Sequence, residues 1–306
     1  AWRVPVELST NGRDFTSDGV QYEFVALVVG GLAPWSGPQL GGTLVTLSGS
    51  RLVQAARLGC RFGAQPSVAA SAVGEGGVRC VTPPFGEGEG AAHGWVGVEL
   101  VSDGQTLRTG GSFFVYASVQ VSALLPSAGP VAGGTRVAVL GAGFREAATV
   151  RCRLEESGAT VVARRVDASQ LECAAPAASG AGARRVEVSL NAQQFSASGV
   201  RYTYRAAAAV SSVWPSRGAA EGGTPLTLLG SGFSAGSEAE GQLRCSFNGS
   251  SEALGTFVSE SVVVCNTTRA AGWPLGGGGG GGAAAAAGGA WRVPVELSTN
   301  GRDFTS

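Results

Sequence analysis

One phrase recurs three times along this chain and constrains its fold more than any other feature. It reads PWSGPQLGGTLVTLSGSRL from Pro34, PSAGPVAGGTRVAVLGAGF from Pro126 and PSRGAAEGGTPLTLLGSGF from Pro215. Each copy opens on Pro, passes a Gly turn, reaches Gly-Gly-Thr and then alternates. The Gly pairs (Gly41-Gly42, Gly133-Gly134, Gly222-Gly223) stand where the backbone needs positive φ or an approach that a side chain would obstruct. Leu44 and Thr46, Val137 and Val139, Leu226 and Leu228 then keep the period of two of a strand with one buried face.

The six cysteines follow the same rhythm. Cys60/Cys80, Cys152/Cys173 and Cys245/Cys265 are separated by 20, 21 and 20 residues. Three equally spaced pairs read as three equivalent disulfides, each closing a loop that stabilises by roughly 3 kcal/mol. There is no CxxC, and His93 is the single histidine, so the pattern does not read as a zinc site. Each unit closes with a hairpin: VGVELVSDGQTL from Val96, VEVSLNAQQF from Val186 and VPVELSTNGRDF from Val4. Asn11-Gly12 and Asp103-Gly104 are type I′ turn dipeptides between alternating strands. An aromatic strand follows at Val20–Phe24, Phe113–Tyr116 and Val200–Tyr204. Short strands with turns every eight to twelve residues predict an all-β chain of immunoglobulin-like sandwiches, with almost no room for helix.

These residues bring out a family resemblance. The P-x-x-G…GGT phrase with its alternating strand, the Cys…Cys spacing and the closing hairpin resemble the IPT/TIG domain, in three tandem copies covering essentially the whole chain. That immunoglobulin-like domain occurs in plexins, hepatocyte-growth-factor-type receptors, fibrocystin-like proteins and some transcription factors. This chain departs from the pattern at Arg51-Leu52, where the other copies read Gly-Phe, and after Cys265, where Pro is missing. The resemblance implies the fold more firmly than a task, because function lives on surfaces and loops.

A longer repeat encloses the shorter one. Ala1–Ser17 and Ala290–Ser306 both read AWRVPVELSTNGRDFTS, an offset of 289 residues, so three sandwiches are expected per period. The expected map places the last strands of one domain in residues 1–30 and complete domains at 31–118 and 119–206. A domain at 207–306 lacks its final strand and carries a Gly/Ala-rich loop over 276–289. Two readings of that incomplete domain stand side by side. A long polypeptide can carry the 289-residue unit many times, or separate chains can lend their first strands to a neighbour.

Composition removes several function classes. The 22 basic and 22 acidic residues cancel, so no concentrated positive field is offered to nucleic acid. No stretch approaches the ~20 apolar residues that span a bilayer. All basic residues are Arg, and Lys, Ile and Met are absent, as a GC-rich coding sequence would produce. His93 lies alone in a Gly/Ala-rich loop, Asp-x-Asp calcium loops are missing, and the Gly-rich phrases sit between strands rather than before helices. No catalytic, cofactor or metal site is therefore expected. Trp35 and Trp214, near domain starts, are expected to fill junctions or core edges rather than serve as sugar platforms. Paired cysteines and the sequons at Asn248 and Asn266 point to an extracellular or cell-surface glycoprotein.

The expectation is a non-enzymatic structural or adhesive protein: a long disulfide-bonded, N-glycosylated array forming a fibre or surface coat. Its partners would be neighbouring repeats or chains. A ciliated or glycoprotein-coated eukaryote fits the codon bias and the sequons. The alternative is the stalk of a plexin- or fibrocystin-like receptor that presents a binding head elsewhere. A DNA-binding protein of the same fold is disfavoured by the neutral charge and paired cysteines.

Overall fold

The computed structural model describes residues 2–24, 28–50, 52, 57–74, 76–86, 93–102, 105–147, 149–154, 160–269 and 292–305. The Gly/Ala tract at 276–289 and the Asp103-Gly104 turn lie outside them. The chain divides into two compact units. One comprises Ala1–Val119, Arg145–Val150 and Ser189–Ser196, and the other Gln120–Phe144, Arg151–Val188 and Ala197–Ser306.

In the first unit, two sheets face each other. One runs Val28–Ala33, Leu44–Ser50, Gly77–Val81, Ser71–Val73 in neighbour order. The other runs Ser36–Pro38, Gln105–Tyr116, Gly94–Ser102, Leu58–Phe62, Val68–Ala69. Ser36–Pro38 pairs in parallel with Phe114–Tyr116, whereas the other pairs are antiparallel. Val45, Leu47, Phe62, Leu100 and Phe113 fill the space between. The buried face of Leu44–Ser50 is thus one residue out of phase with the sequence expectation, and Leu44 is exposed. The reason lies just upstream: Thr43 is buried, and alternation then carries Val45 and Leu47 onto its side of the strand.

The second unit repeats the plan twice. Its first six-stranded sheet runs Gln120–Leu125, Arg136–Ala142, Gln170–Ala174, Thr160–Arg165, Arg151–Arg153, Glu187–Ser189. A three-stranded sheet of Ala128–Pro130, Arg201–Arg205 and Gly182–Arg185 accompanies it. The second six-stranded sheet runs Ala209–Trp214, Pro225–Ser231, Val262–Asn266, Ser251–Ser259, Arg244–Phe247, Val295–Ser298. In both, one strand serves two partners. Thr160–Val162 pairs with Arg151–Arg153, and Ala163–Arg165 pairs with Leu171–Cys173. Ser251–Leu254 likewise pairs with Arg244–Phe247 before Gly255–Ser259 crosses to Val262–Cys265.

The cysteines lie on the strands flanking that crossing element. Cys60–Cys80, Cys152–Cys173 and Cys245–Cys265 are bonded, with Cα–Cα distances of 6.2, 6.4 and 6.5 Å. Leu52, Phe144 and Phe233 are all buried, so the Arg51-Leu52 departure preserves an apolar plug. The single helix among the described residues, Ala235–Ala239, has five residues.

Gly141 and Gly230 lie opposite the register shifts at Val121/Ala123 and Val210/Ser212. A Cβ on Gly230 would overlap the Ala209 carbonyl and crowd the Phe233 ring. Gly230→Ala is therefore expected to cost that sandwich about 2–3 kcal/mol, because the clash is with backbone. Calorimetry of the chain would show its transition falling; an unchanged transition would contradict the overpacking.

Trp2–Pro5 pairs antiparallel with Gln21–Phe24, in the register Trp2↔Phe24 to Pro5↔Gln21. The Val6 N–H donates to the Val20 carbonyl at 2.8 Å. The same arrangement stands within the second unit, where Gly182–Arg185 pairs with Arg201–Tyr204 and Val186 N–H donates to Val200 at 2.9 Å. The rings match too. Tyr22 and Phe24 meet edge-on at 4.9 Å, and Tyr202 and Tyr204 at 5.1 Å.

Candidate functional site: the Gly-Gly-Thr loop and the Asn turn

The repeated phrase folds into the same loop three times. The N–H of the first Gly donates to a carbonyl three residues back: Gly41 to Pro38, Gly133 to Pro130 and Gly222 to Ala219, at 3.0, 2.9 and 3.1 Å. The second Gly and the Thr bracket the chain just after the second Cys. Gly42 N–H donates to Thr82 O, and Thr82 N–H donates back to Thr43 O, both at 2.9 Å. Gly134, Ala175 and Thr135 repeat this, as do Gly223, Thr267 and Thr224. All six glycines have φ between 75° and 87°, the left-handed region that other residues enter at a cost. A Cβ on Gly41, Gly133 or Gly222 would strike the bracketed backbone. The earlier Gly of the phrase has its own reason. Gly37, Gly129 and Gly218 each lie against the Thr of their own loop, leaving no room for a side chain.

The closing hairpins carry the complementary part. Asn11 was expected to open a type I′ turn, which requires positive φ at both central residues. Gly12 has φ 73°, but Asn11 is not in the left-handed region, so the turn is of another kind. Its carboxamide organises the loop instead: Asn11 Oδ1 accepts the N–H groups of Arg13 and Asp14, both at 2.9 Å. Asn11 Nδ2 donates to Asp14 Oδ2 at 2.6 Å. Asn191 makes the same bonds with Gln193 and Gln194, and Asn300 with Arg302 and Asp303. This is the Asx arrangement, in which a short side chain replaces a backbone partner.

Within each unit, one such turn sits on one Gly-Gly-Thr loop. In the first unit, Thr43 Oγ1 donates to Gln194 Oε1 at 2.9 Å, and Gln194 Nε2 donates to Gly42 O at 2.8 Å. Gln193 reads the next peptide with both ends of its amide, accepting Leu44 N–H at 2.8 Å and donating to Leu44 O at 3.0 Å. In the second unit, Thr135 Oγ1 donates to Asp303 Oδ2, and Arg302 donates to Arg136 O at 3.0 Å. Arg205 adds bonds to Thr299 O at 3.0 Å and to Ser237 Oγ. Tyr202 is buried against this cluster, and burial pushes its phenol up to about 12. The clip uses an amide in one unit and a carboxylate with a guanidinium in the other, on one backbone plan. Thr43 and Thr135 are fully buried, whereas Thr224 is only half-buried.

No local pattern in the sequence announces this pairing. The turn itself has a signal, an Asn followed three residues later by Gln or Asp, at 191/194, 300/303 and 11/14. Asn248 sits at φ 58° in an exposed turn, and Asn266 is exposed at the end of Val262–Asn266. His93 contacts Gln39. Trp35 stacks on Trp95 at 5.7 Å. Trp214, expected to fill a junction or a core edge, is 73% exposed at the end of Ala209–Trp214, directly before the turn of Pro215. Among the described residues, no group of three or more His, Cys, Asp or Glu is placed to hold a metal ion. No described helix is long and apolar enough to cross a membrane.

None of the curated proteins compared matches the chain. Among solved structures, several resemble the chain at low identity and low TM-score. The extracellular region of plexin A4 is 17% identical over 80% of this chain, with a TM-score of 0.46; the chain spans 21% of that structure. FdeC, an Escherichia coli adhesin, is 13% identical over 91% of this chain and 97% of its own, with a TM-score of 0.27. Invasin, a bacterial integrin-binding protein, is 13% identical over 80% of this chain and 55% of its own, with a TM-score of 0.24. The family model for the IPT/TIG domain matches residues 27–116, 120–204 and 208–283. The chain thus belongs to the IPT/TIG domain family, in three tandem copies.

Proposed function

We propose that this chain is a non-enzymatic structural and adhesive segment of an extracellular or cell-surface protein. In it, IPT/TIG domains follow one another at fixed spacing in a fibre or surface coat. The observation that carries the reading is the repeated clip of an Asn turn on a Gly-Gly-Thr loop. Gln193, Gln194, Arg302 and Asp303 all contact backbone or hydroxyl groups of a loop more than a hundred residues away. A chain that makes such contacts at successive domains holds its spacing, and the 17 residues that recur at an offset of 289 suit a spacing that continues. Three disulfide-bonded sandwiches and the sequons at Asn248 and Asn266 suit an oxidising, glycosylating compartment. Weak lateral contacts, repeated along such an array, add up to strong adhesion.

Electron microscopy of the native protein, extracted without reductant, tests the proposal. The expected image is a filament whose period is three domains long. A single copy of the period beside a membrane span and a separate head would contradict it and favour a receptor stalk. In the secreted protein, Asn248 and Asn266 are expected to carry glycans. Peptide-N-glycosidase should lower the mass in two steps, each abolished by the corresponding Asn→Gln change.

A further inference from the structure

We infer that the outer face of the first sandwich carries a binding ledge for an acidic polysaccharide, on which Trp95 stacks a uronic acid ring and Arg145 takes its carboxylate. The ledge is built from three aromatic rings. Trp95 stands directly opposite Phe114 and meets it edge-on, with ring centroids 5.3 Å apart. Trp35 stacks on Trp95 at 5.7 Å, with 21° between the planes. Trp35 and Phe114 are half-buried, whereas Trp95 leaves 63% of its surface to solvent.

The fold does not demand these rings. Phe114 N–H donates to Trp35 O at 2.8 Å, as Thr203 N–H donates to Ser127 O at 2.9 Å, so both sandwiches share one backbone here. Trp95 pairs with Phe114 as Ala183 pairs with Thr203. Trp35, Trp95 and Phe114 therefore correspond to Ser127, Ala183 and Thr203. The second sandwich forms the same strands with two hydroxyls and a methyl in those places. Large rings held on a solvent face where small residues suffice point to a ligand.

Arg145 sets the charge of that ligand. Its guanidinium lies over the Phe114 ring, 5.1 Å from the centroid, and among the described residues no carboxylate pairs with it. Glu99, further along the same face, is taken by Arg61. A fixed, unpaired guanidinium repels a cationic guest and offers a carboxylate two parallel hydrogen bonds. The indole face attracts the C–H bonds on one side of a pyranose, because those hydrogens are partly positive and the ring face partly negative. A uronic acid combines both features, a C–H face and a carboxylate at the rim of the ring. Beyond Trp95, Gly97 has open space where a Cβ would stand, and Ser112 opposite it is exposed. The next sugar along the strand thus meets a bare step and a hydroxyl.

The ledge gives the adhesive reading a ligand, and its failure would leave the clips and their spacing intact. Titration of the 306-residue chain with trigalacturonate, followed by tryptophan fluorescence and by calorimetry, tests it. The expected result is saturable binding with a Kd of roughly 0.1–1 mM. The methyl-esterified trimer keeps the rings and loses the charge, and should bind about tenfold more weakly. Trp95→Ala should abolish binding of both. Arg145→Gln, at an exposed position that holds no core, should bring the acid down to the level of the ester and leave the ester unchanged. Trp214→Ala removes another exposed indole and should change neither. A chain that binds neither trimer, binds acid and ester alike, keeps its affinity without Trp95, or prefers polyproline to the acid overturns the inference.

Discussion

Phe113→Ala is expected to lower the stability of the first sandwich by about 3–5 kcal/mol, the cost of emptying a closed aromatic site. Phe113 is fully buried and stacks on Phe85 with ring centroids 6.3 Å apart. It also meets Phe62 edge-on at 5.7 Å, and Phe62 meets Phe85 at 6.4 Å, so the three rings form one cluster. The cavity cannot collapse easily. The ring edge lies against Gly37, which is held beneath Thr43, and Thr43 in turn bonds Gln194. Truncation therefore removes burial and ring contacts at once, and loosens the floor of the loop that the Asn turn grips. Calorimetry should show the first sandwich melting earlier while the other two hold. Phe113→Tyr gives the informative contrast, because Tyr202 is the native residue at that position in the second sandwich. It should cost less than half as much.

Reduction of the disulfides is the second large effect. Each closes a loop of about twenty residues and restricts the unfolded chain, a contribution of roughly 3 kcal/mol per bond. All six sulfurs lie in the cores, and their strands flank the element that passes from one sheet to the other. Cys152→Ala with Cys173→Ala should thus destabilise the second sandwich by about 3 kcal/mol and leave the first and third near their starting stability. A non-reducing peptide map should join Cys60 only to Cys80, Cys152 only to Cys173 and Cys245 only to Cys265. Any other linkage would contradict the equivalence of the three sandwiches.

Much of this architecture was legible in the residues, for identifiable reasons. The Gly-Gly-Thr loops could be read because their glycines answer a backbone demand, and Gly41, Gly133 and Gly222 meet it in the same way each time. The spacing of the cysteines was legible because each pair sits on the two strands that flank one crossing segment, residues 68–73, Thr160–Arg165 or Ser251–Ser259. Leu44 was misread because it is itself apolar and follows the Gly-Gly-Thr turn; the phase with two apolar residues, Val45 and Leu47, is the buried one, with Thr43 on its side. Asn11-Gly12 was misread because the dipeptide is common to type I′ turns and to Asx loops, and only Asp14 three residues on separates the two. The clips were invisible for a deeper reason. Gln193 and Gln194 look like ordinary exposed amides until Gly42–Leu44 is brought against them, and no local pattern encodes that encounter. Trp214 shows the same gap from the other side, since its exposure depends on which face of the strand precedes Pro215.

The Asn turn grips the Gly-Gly-Thr loop, and amide hydrogen exchange at Leu44 reads that grip. Leu44 has an exposed side chain, and its N–H donates to Gln193 Oε1 at 2.8 Å. In the intact chain this amide should exchange at least tenfold more slowly than an open loop amide, since a hydrogen bond worth about 1.4 kcal/mol or more must break first. Gln193→Ala should release it while Val45 and Leu47 keep their protection. An unprotected Leu44 amide in the wild-type chain would mean that the clip is not formed, and the fixed spacing built on it would fall.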